Sequence, residues 1–214
     1  MKLYDYGFSS AAYRVRIALN LKGIAYERAS INLIKDGGQQ HSAAYKTINP
    51  QELIPTLEVD GHAIGQSLAI IEYLDETYPL PALMPSYPLE RARVRQIAYA
   101  IACDIHPINN ISARQLLKEM GHSDDEILTK WYGYWITRGF TALETLLSSS
   151  KETGRFCHGD VVTLADICLV PQMANAYRFK VPVDAFPTLV RIDKICREHP
   201  AFAAAVPEKQ NDAG

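Results

Sequence analysis

Residues 2–23 read KLYDYGFSSAAYRVRIALNLKG and change character once, at the pair Ser9-Ser10. Ahead of the pair, Lys2–Tyr6 is short and rich in aromatic residues, the composition of a strand. Behind it, Ala11, Val15, Ala18 and Leu19 recur at helical spacing and Gly23 supplies a stop. Working outward, Ile24–Leu33 reads as a second strand, the polar run DGGQQH (36–41) as a loop, and the stretch up to Asn49-Pro50 as weakly helical. Thr56–Val59 and His62–Ile64 flank Asp60-Gly61, a strong two-residue hairpin signal. Ser67–Tyr78 is helical, with Ile71, Leu74 and Tyr78 in register. The order strand, helix, strand, helix, hairpin, helix defines a small α/β unit with a mixed sheet.

After Tyr78 the texture changes. Pro79, Pro81, Pro85 and Pro88 make a stiff, extended linker, and strand signals nearly vanish beyond it. Leu89–Ile105, Asp124–Leu147, Thr163–Phe179 and Pro187–Cys196 support helices. Thr163-Leu-Ala-Asp166 has capping-box form before the apolar run ICLVP, and so starts a buried helix. The aromatic residues Tyr132, Tyr134 and Trp135 read as helix packing rather than as a base-stacking platform. The architecture expected is an α/β N-terminal domain over residues 1–80 and an all-α C-terminal domain over residues 88–214, with the last eight residues frayed.

Bulk properties exclude several functions. The net charge is −2, with 7 Lys+Arg against 9 Asp+Glu in residues 1–78 and 15 against 15 in the rest. Neither part is a basic body, so nucleic acid and anionic membrane are not expected partners. No apolar run approaches the roughly 20 residues needed to cross a bilayer, and MKLYDYGFSS lacks the apolar core of a signal peptide. A cytoplasmic location follows as the expectation. Cys103, Cys157, Cys168 and Cys196 are scattered, without C-x-x-C pairs or clustered histidines. They read as reduced, mostly buried thiols, and no metal site is expected.

Four features of the first domain carry chemistry together. Ser9 and Ser10 stand at a helix start, where free amides and partial positive charge favour an anion. Their hydroxyls could donate to a thiolate and keep its pKa low; either could equally be a simple N-cap. Ile54-Pro55-Thr56 precedes a strand, and a cis bond there would turn the Ile54 main chain outward as a peptide-binding edge. Gln66-Ser67 opens the third helix, another amide-rich end suited to a carboxylate or simply capped. Gln39-Gln40 lies in the Gly-rich loop, with amides for a peptide ligand or for solvent. Thiolate pocket, peptide edge and carboxylate pocket together have the shape of glutathione.

The run SSAAYRVRIAL (9–19) closely resembles the zeta-class glutathione transferase signature S-S-C-x-x-R-V-R-I-A-L. The resemblance continues through INLIKDGGQQ (31–40), NPQELIPTL (49–57), GQSLAIIEYLDETYP (65–79) and GDVVTLADICLVPQMANAYRFKV (159–181), nearly the whole chain in order. It implies a thioredoxin-like first domain, an all-helical second domain, a homodimer, and an active site near the cleft between the domains. It implies glutathione as cofactor, contacted by Ser9, Ser10, Gln40, Ile54, Pro55, Gln66 and Ser67, with Ala11, Ala12, Tyr13 and Arg14 lining the same pocket. Ser9, Ser10 and Arg14 would be the catalytic residues. From the second domain the resemblance adds His106 and Asn110 in DIHPINN, then Ile111 and Ser112, and Arg178 in NAYRF. Of these, His106, Asn110 and Arg178 would face a small dicarboxylate substrate.

The activity so implied is glutathione-dependent cis–trans isomerisation of maleylacetoacetate to fumarylacetoacetate, in tyrosine and phenylalanine breakdown. Two positions depart from the pattern. The signature cysteine is Ala11, so the nucleophile must be glutathione's own sulfur. Many relatives carry arginine before the serine pair, where this chain has Phe8, which removes one anchor for a substrate carboxylate. Arg14 and Arg16, two apart, do not share a helix face; one could meet the ligand while the other is a surface or dimer contact. His106 alternatively reads as a structural histidine and Arg178 as a solvated helix end. The competing functions are maleylpyruvate isomerisation, transfer to haloacids or other electrophiles, and a non-catalytic glutathione-binding module, against which the intact serine pair argues.

Overall fold

The computed structural model describes residues 1–210. Along the chain run β1 (Lys2–Asp5), α1 (Ser10–Leu21), β2 (Glu27–Ser30), α2 (Ala43–Ile48), β3 (Thr56–Val59), β4 (His62–Gly65) and α3 (Ser67–Thr77). There follow α4 (Pro88–Tyr99), which widens into a π-type turn over Ala100–Ile105, and α5 (Ile111–Glu119). A single turn, α6 (Asp124–Glu126), passes through a second π-type turn (Ile127–Tyr132) into α7 (Gly133–Ser148). The last helices are α8 (Leu164–Arg178), α9 (Pro187–Glu198) and α10 (Pro200–Ala205). They form two compact units, Met1–Ala82 with the chain from His199, and Leu83–Glu198.

In the first unit the sheet order is β2-β1-β3-β4, with β1 and β2 parallel and the other pairs antiparallel. The β3–β4 hairpin turns at Asp60 (φ 49°) and Gly61 (φ 79°), the doubly left-handed geometry that the Asp-Gly pair favours. Helix α1 lies against α3 and α10, and every residue from Ser10 to Leu19 is buried. Arg16 is among them, with no exposed surface. Its guanidinium meets Asp5 at 2.7 Å and donates to the carbonyls of Gly7 at 2.9 Å, Tyr6 at 3.4 Å and Ala205 at 3.0 Å. The surface or dimer role considered for Arg14 or Arg16 is therefore corrected, since Arg14 too is only 1% exposed. At the far end, Lys22 donates to Asp75 and to the carbonyls of Tyr78 and Pro81, closing the end of α3.

Among the described residues of the second unit every regular element is a helix. α8 packs on α4 and α9, and α9 on α7. The capping box is present: the Asp166 carboxylate, fully buried, accepts from the Thr163 N–H and hydroxyl and from the Cys157 N–H. Cys157, Cys168 and Cys196 are buried, while Cys103 is exposed. Among the described residues no helix is long and apolar enough to cross a membrane.

Three expectations differ from the structure. The second strand spans only Glu27–Ser30, because only these residues find partners on β1. Helix α5 was not anticipated, since DIHPINN and the polar SARQ that follows hide its apolar stripe. The segment from His199, assigned to the helical domain by its position, packs with the first unit, where α10 covers α1. Residues 207–209 form one further turn, and 211–214 of the tail expected to fray lie outside the described residues.

Removing one partner of a buried ion pair strands the other. Asp5→Ala is therefore expected to destabilise the chain by about 3–5 kcal/mol. Lys2→Ala, which breaks a half-exposed pair with Glu27, should cost at most about 1 kcal/mol. Urea unfolding of the two variants measures the difference.

Candidate active site

Ser9 is the N-cap of α1: its Oγ accepts from the Ala12 N–H at 3.2 Å, and its own N–H donates to Tyr6 C=O at 2.9 Å. Capping and donating are not exclusive, because a hydroxyl that accepts from an amide keeps its O–H to donate elsewhere. Ser10 is the first residue of the helix and is buried. No acidic residue stands in the first turn of α1 or of α3, so neither helix start is neutralised by a side chain. Arg14 reaches from α1 to α3, its guanidinium donating to Ser67 Oγ at 3.3 Å. Ser9, Ser10, Arg14 and Ser67 thus belong to one constellation of two helix N-termini with a buried cation between them. Ala11, Ala12 and Tyr13 occupy the first turn of α1 and are buried.

Gln66 precedes α3 with φ 65° and ψ 112°, a conformation that costs a non-glycine residue about 1–3 kcal/mol. Its side chain does not cap the helix; its Nε2 donates to Gln51 Oε1 at 3.0 Å. The cap alternative is thereby removed for the Gln66 side chain.

The two glutamines of the Gly-rich loop separate. Gln39 is structural, its Oε1 accepting from the Asn32 N–H at 2.8 Å. Gln40 is 4% exposed; its Nε2 meets His41 Nε2 at 3.0 Å, while its buried Oε1 has no partner among the described residues. Gly38, at φ 104°, admits that side chain, since a Cβ there would lie 2.5 Å from Gln40 Nε2. An orphaned buried acceptor is costly, and an N–H of a guest would satisfy it.

The Ile54–Pro55 bond is cis. The Ile54 side chain is buried with Tyr4, Tyr6 and Tyr45, so a ligand can meet only its main chain. Tyr45 and Asn49 fix this turn. Both donate to Leu53 C=O, at 2.7 and 2.8 Å, and both engage Thr56 Oγ1, at 2.9 and 3.0 Å. Phe8 packs on the same cluster, its ring edge-on to Tyr6 at 6.2 Å.

In the second unit Asn110 is the N-cap of α5, its Oδ1 accepting from the Ile111 N–H; Ile111 and Ser112 are the first helical residues. The Asn110 carbonyl accepts from Tyr132 OH at 2.9 Å, and the Tyr132 ring meets Phe179 at 4.9 Å. Arg178, exposed, holds its guanidinium 5.5 Å from the Phe179 ring. Burial pushes the Tyr132 phenol up to about 12, against the opposing charges of Arg114 and Arg178. Tyr132 therefore bonds to Asn110 and packs on Phe179, the ring over which Arg178 lies. His106 closes the π-type turn, its N–H donating to Ile101 C=O at 2.9 Å, four residues before Asn110. Sequence reasoning missed Asn109, which is 3% exposed with neither amide atom partnered among the described residues, although the Asn109-Asn110 pair was in view.

The first unit is of glutathione transferase type: residues 3–82 match the family model "Glutathione S-transferase, N-terminal domain". Over 99% of its length the chain is 50% identical to the probable maleylacetoacetate isomerase of Vibrio cholerae, covering 97% of that protein. Among solved structures it resembles, over the full length of both chains, the holo form of a bacterial zeta-class maleylpyruvate isomerase (TM-score 0.96, 43% identity). It likewise resembles, over the full length of both, the maleylacetoacetate isomerase of Methylobacterium extorquens AM1 with bound malonate and glutathione (TM-score 0.95, 40% identity). The chain belongs to the zeta-class glutathione transferase family and has its fold.

Proposed function

We propose that this chain catalyses the glutathione-dependent cis–trans isomerisation of maleylacetoacetate to fumarylacetoacetate, in the cytoplasm, as a step of tyrosine and phenylalanine breakdown. The observation that carries this reading is the pair of unneutralised helix starts, Ser9-Ser10 and Gln66-Ser67, joined by the buried Arg14. When bound, glutathione supplies the sulfur nucleophile that adds to the cis double bond, frees it to rotate, and leaves it trans.

The residues of the first unit fit that tripeptide group by group. The Ser9 and Ser10 hydroxyls and the α1 amides hold a sulfur anion and lower its proton affinity, with Arg14 adding positive charge. Gln66 and the α3 amides take a carboxylate. Gln40 Oε1 accepts an N–H, and the main chain at Ile54-Pro55 pairs with the peptide. Ala11 leaves no competing protein thiol. In the second unit Asn110, Ile111, Ser112 and His106 complete the set. Arg178, His106 and Asn110 hold the carboxylates of the substrate and the oxyanion that develops on addition, where fixed donors are most effective.

Maleylpyruvate is the second reading, supported by the likeness to a maleylpyruvate isomerase over the full length of both chains (TM-score 0.96, 43% identity). Offering both cis substrates, with and without glutathione, and following loss of the cis form separates the two. Transfer would instead consume glutathione.

The glutathione side is tested by a variant series. Ser9→Ala or Ser10→Ala should lower turnover about tenfold to hundredfold and raise the pKa of bound glutathione, with smaller loss of affinity. Gln40→Met should weaken glutathione binding about tenfold while leaving the melting temperature unchanged or higher, because it removes an unpaired buried acceptor. Unchanged pKa in both serine variants would reduce the pair to a cap.

On the substrate side, Arg178→Ala should raise KM about tenfold or more and leave glutathione binding unaltered. Phe8→Arg should lower stability without improving KM, since Phe8 is packed on Tyr6 and Ile54. Steady-state kinetics and thermal melts decide both. The family resemblance also supports a two-fold homodimer. Light scattering at micromolar concentration should give about twice the 23.9 kDa of one chain.

A further inference from the structure

Gln40 does not hold its amide alone. Its Nε2 meets His41 Nε2 at 3.0 Å, and the other ring nitrogen, Nδ1, meets Glu52 Oε2 at 2.5 Å. Among the described residues the charged groups at this ring are Glu52 and, paired with Glu52 at 3.1 Å, Lys46 of α2. Glu52 belongs to the turn that delivers the Ile54 main chain: its N–H donates to Asn49 C=O at 3.0 Å, with φ at 57°. The row Gln40–His41–Glu52 thus links the Gly-rich loop to the edge at Ile54-Pro55. His41 is exposed, so solvent protons reach it freely, while Gln40 is buried.

Hydrogen-bond chemistry places each proton in this row. The hydrogen bonds from His41 and Lys46 hold the Glu52 carboxyl below the usual carboxylate range, so Glu52 is an anion and can only accept. His41 must then carry a proton on Nδ1. In the neutral ring Nε2 keeps its lone pair and needs a donor, which the Gln40 amide can supply only through Nε2. The amide is thereby turned with Oε1 inward, buried and without a partner among the described residues. A doubly protonated ring carries N–H on both nitrogens. Two donors would then face each other, and the amide would turn over, sending its NH2 to where the acceptor had been. Gly38 lies beside both amide atoms and, lacking a Cβ, blocks neither orientation. We propose, on the reading of Gln40 as a glutathione contact, that His41 held by Glu52 is a positioning residue for glutathione. Its neutral ring presents the Gln40 carbonyl to a peptide N–H, and its protonation withdraws that acceptor. A peptide N–H on Gln40 favours the neutral ring, so binding releases a proton from protonated His41 and affinity is lost as the pH falls.

S-methylglutathione is the probe for the test, because it carries every peptide group of glutathione and has no thiol proton to release. Isothermal titration calorimetry on the full-length protein follows its affinity between about pH 8 and about pH 5.5, the range in which histidine titrates. Expected is binding about tenfold weaker at the acid end, with proton release on binding at intermediate pH. His41→Phe keeps a ring and removes both nitrogens, and should show a flat profile over the same range. Its affinity at about pH 8 should be a few-fold below that of the parent, since nothing then turns the Gln40 amide. Gln40→Met distinguishes the two ways of failing. Unaltered affinity in Gln40→Met would mean that Gln40 makes no contact with the peptide, and the proposal falls with that reading. Weaker binding in Gln40→Met, together with a flat parent profile or an acid loss that His41→Phe retains, would overturn the role of His41 alone.

Discussion

The buried ion pair of Arg16 with Asp5 holds the first unit together. Desolvation works against the Arg16 charge and lowers its pKa, and the adjacent Asp5 is the main opposing influence. Three carbonyls complete its coordination, two of them in the turn Tyr6–Gly7. Ser9 hangs from the same turn, its N–H on Tyr6 C=O. The position of the candidate thiolate donor is thus set by a guanidinium two turns along the next helix. Arg14, about 200° around that helix, performs the complementary task of linking the starts of α1 and α3. Two arginines separated by one valine thus brace different parts of the unit.

Much of this was legible in the sequence, for identifiable reasons. The hairpin at Asp60-Gly61 was readable because only a few residue pairs tolerate two successive positive φ angles. The capping box at Thr163–Asp166 was readable because its chemistry is local. Ser9 could be placed at a helix start by the same local logic, and its two roles turn out to be compatible. The resemblance to the zeta class then ordered features that were individually weak.

What escaped the sequence is long-range. Nothing near Arg16 says that its partners are Asp5 and a carbonyl at residue 205, and a cationic residue on a helix reads as exposed until its surroundings are known. Tyr45, Asn49 and Thr56 form the clamp beneath Ile54 through contacts between a helix end and a strand start, which no periodicity encodes. The difference between Gln39 and Gln40 is likewise a matter of which neighbour each meets. Tyr132 and Tyr134, two residues apart, looked alike, yet burial separates them.

The return of α10 to the first unit has a consequence for how the chain is made. The first 82 residues contain the whole sheet and α1, but α1 stays uncovered on one side, and the Ala205 carbonyl missing from Arg16, until residues 199–205 exist. On the ribosome those residues emerge only after the entire second unit. The helical unit is one continuous run of the chain, Leu83–Glu198, so all of it is made while its neighbour in sequence still waits for its last helix. Of the two units, the one whose sheet is made earlier is the one whose last segment is made later.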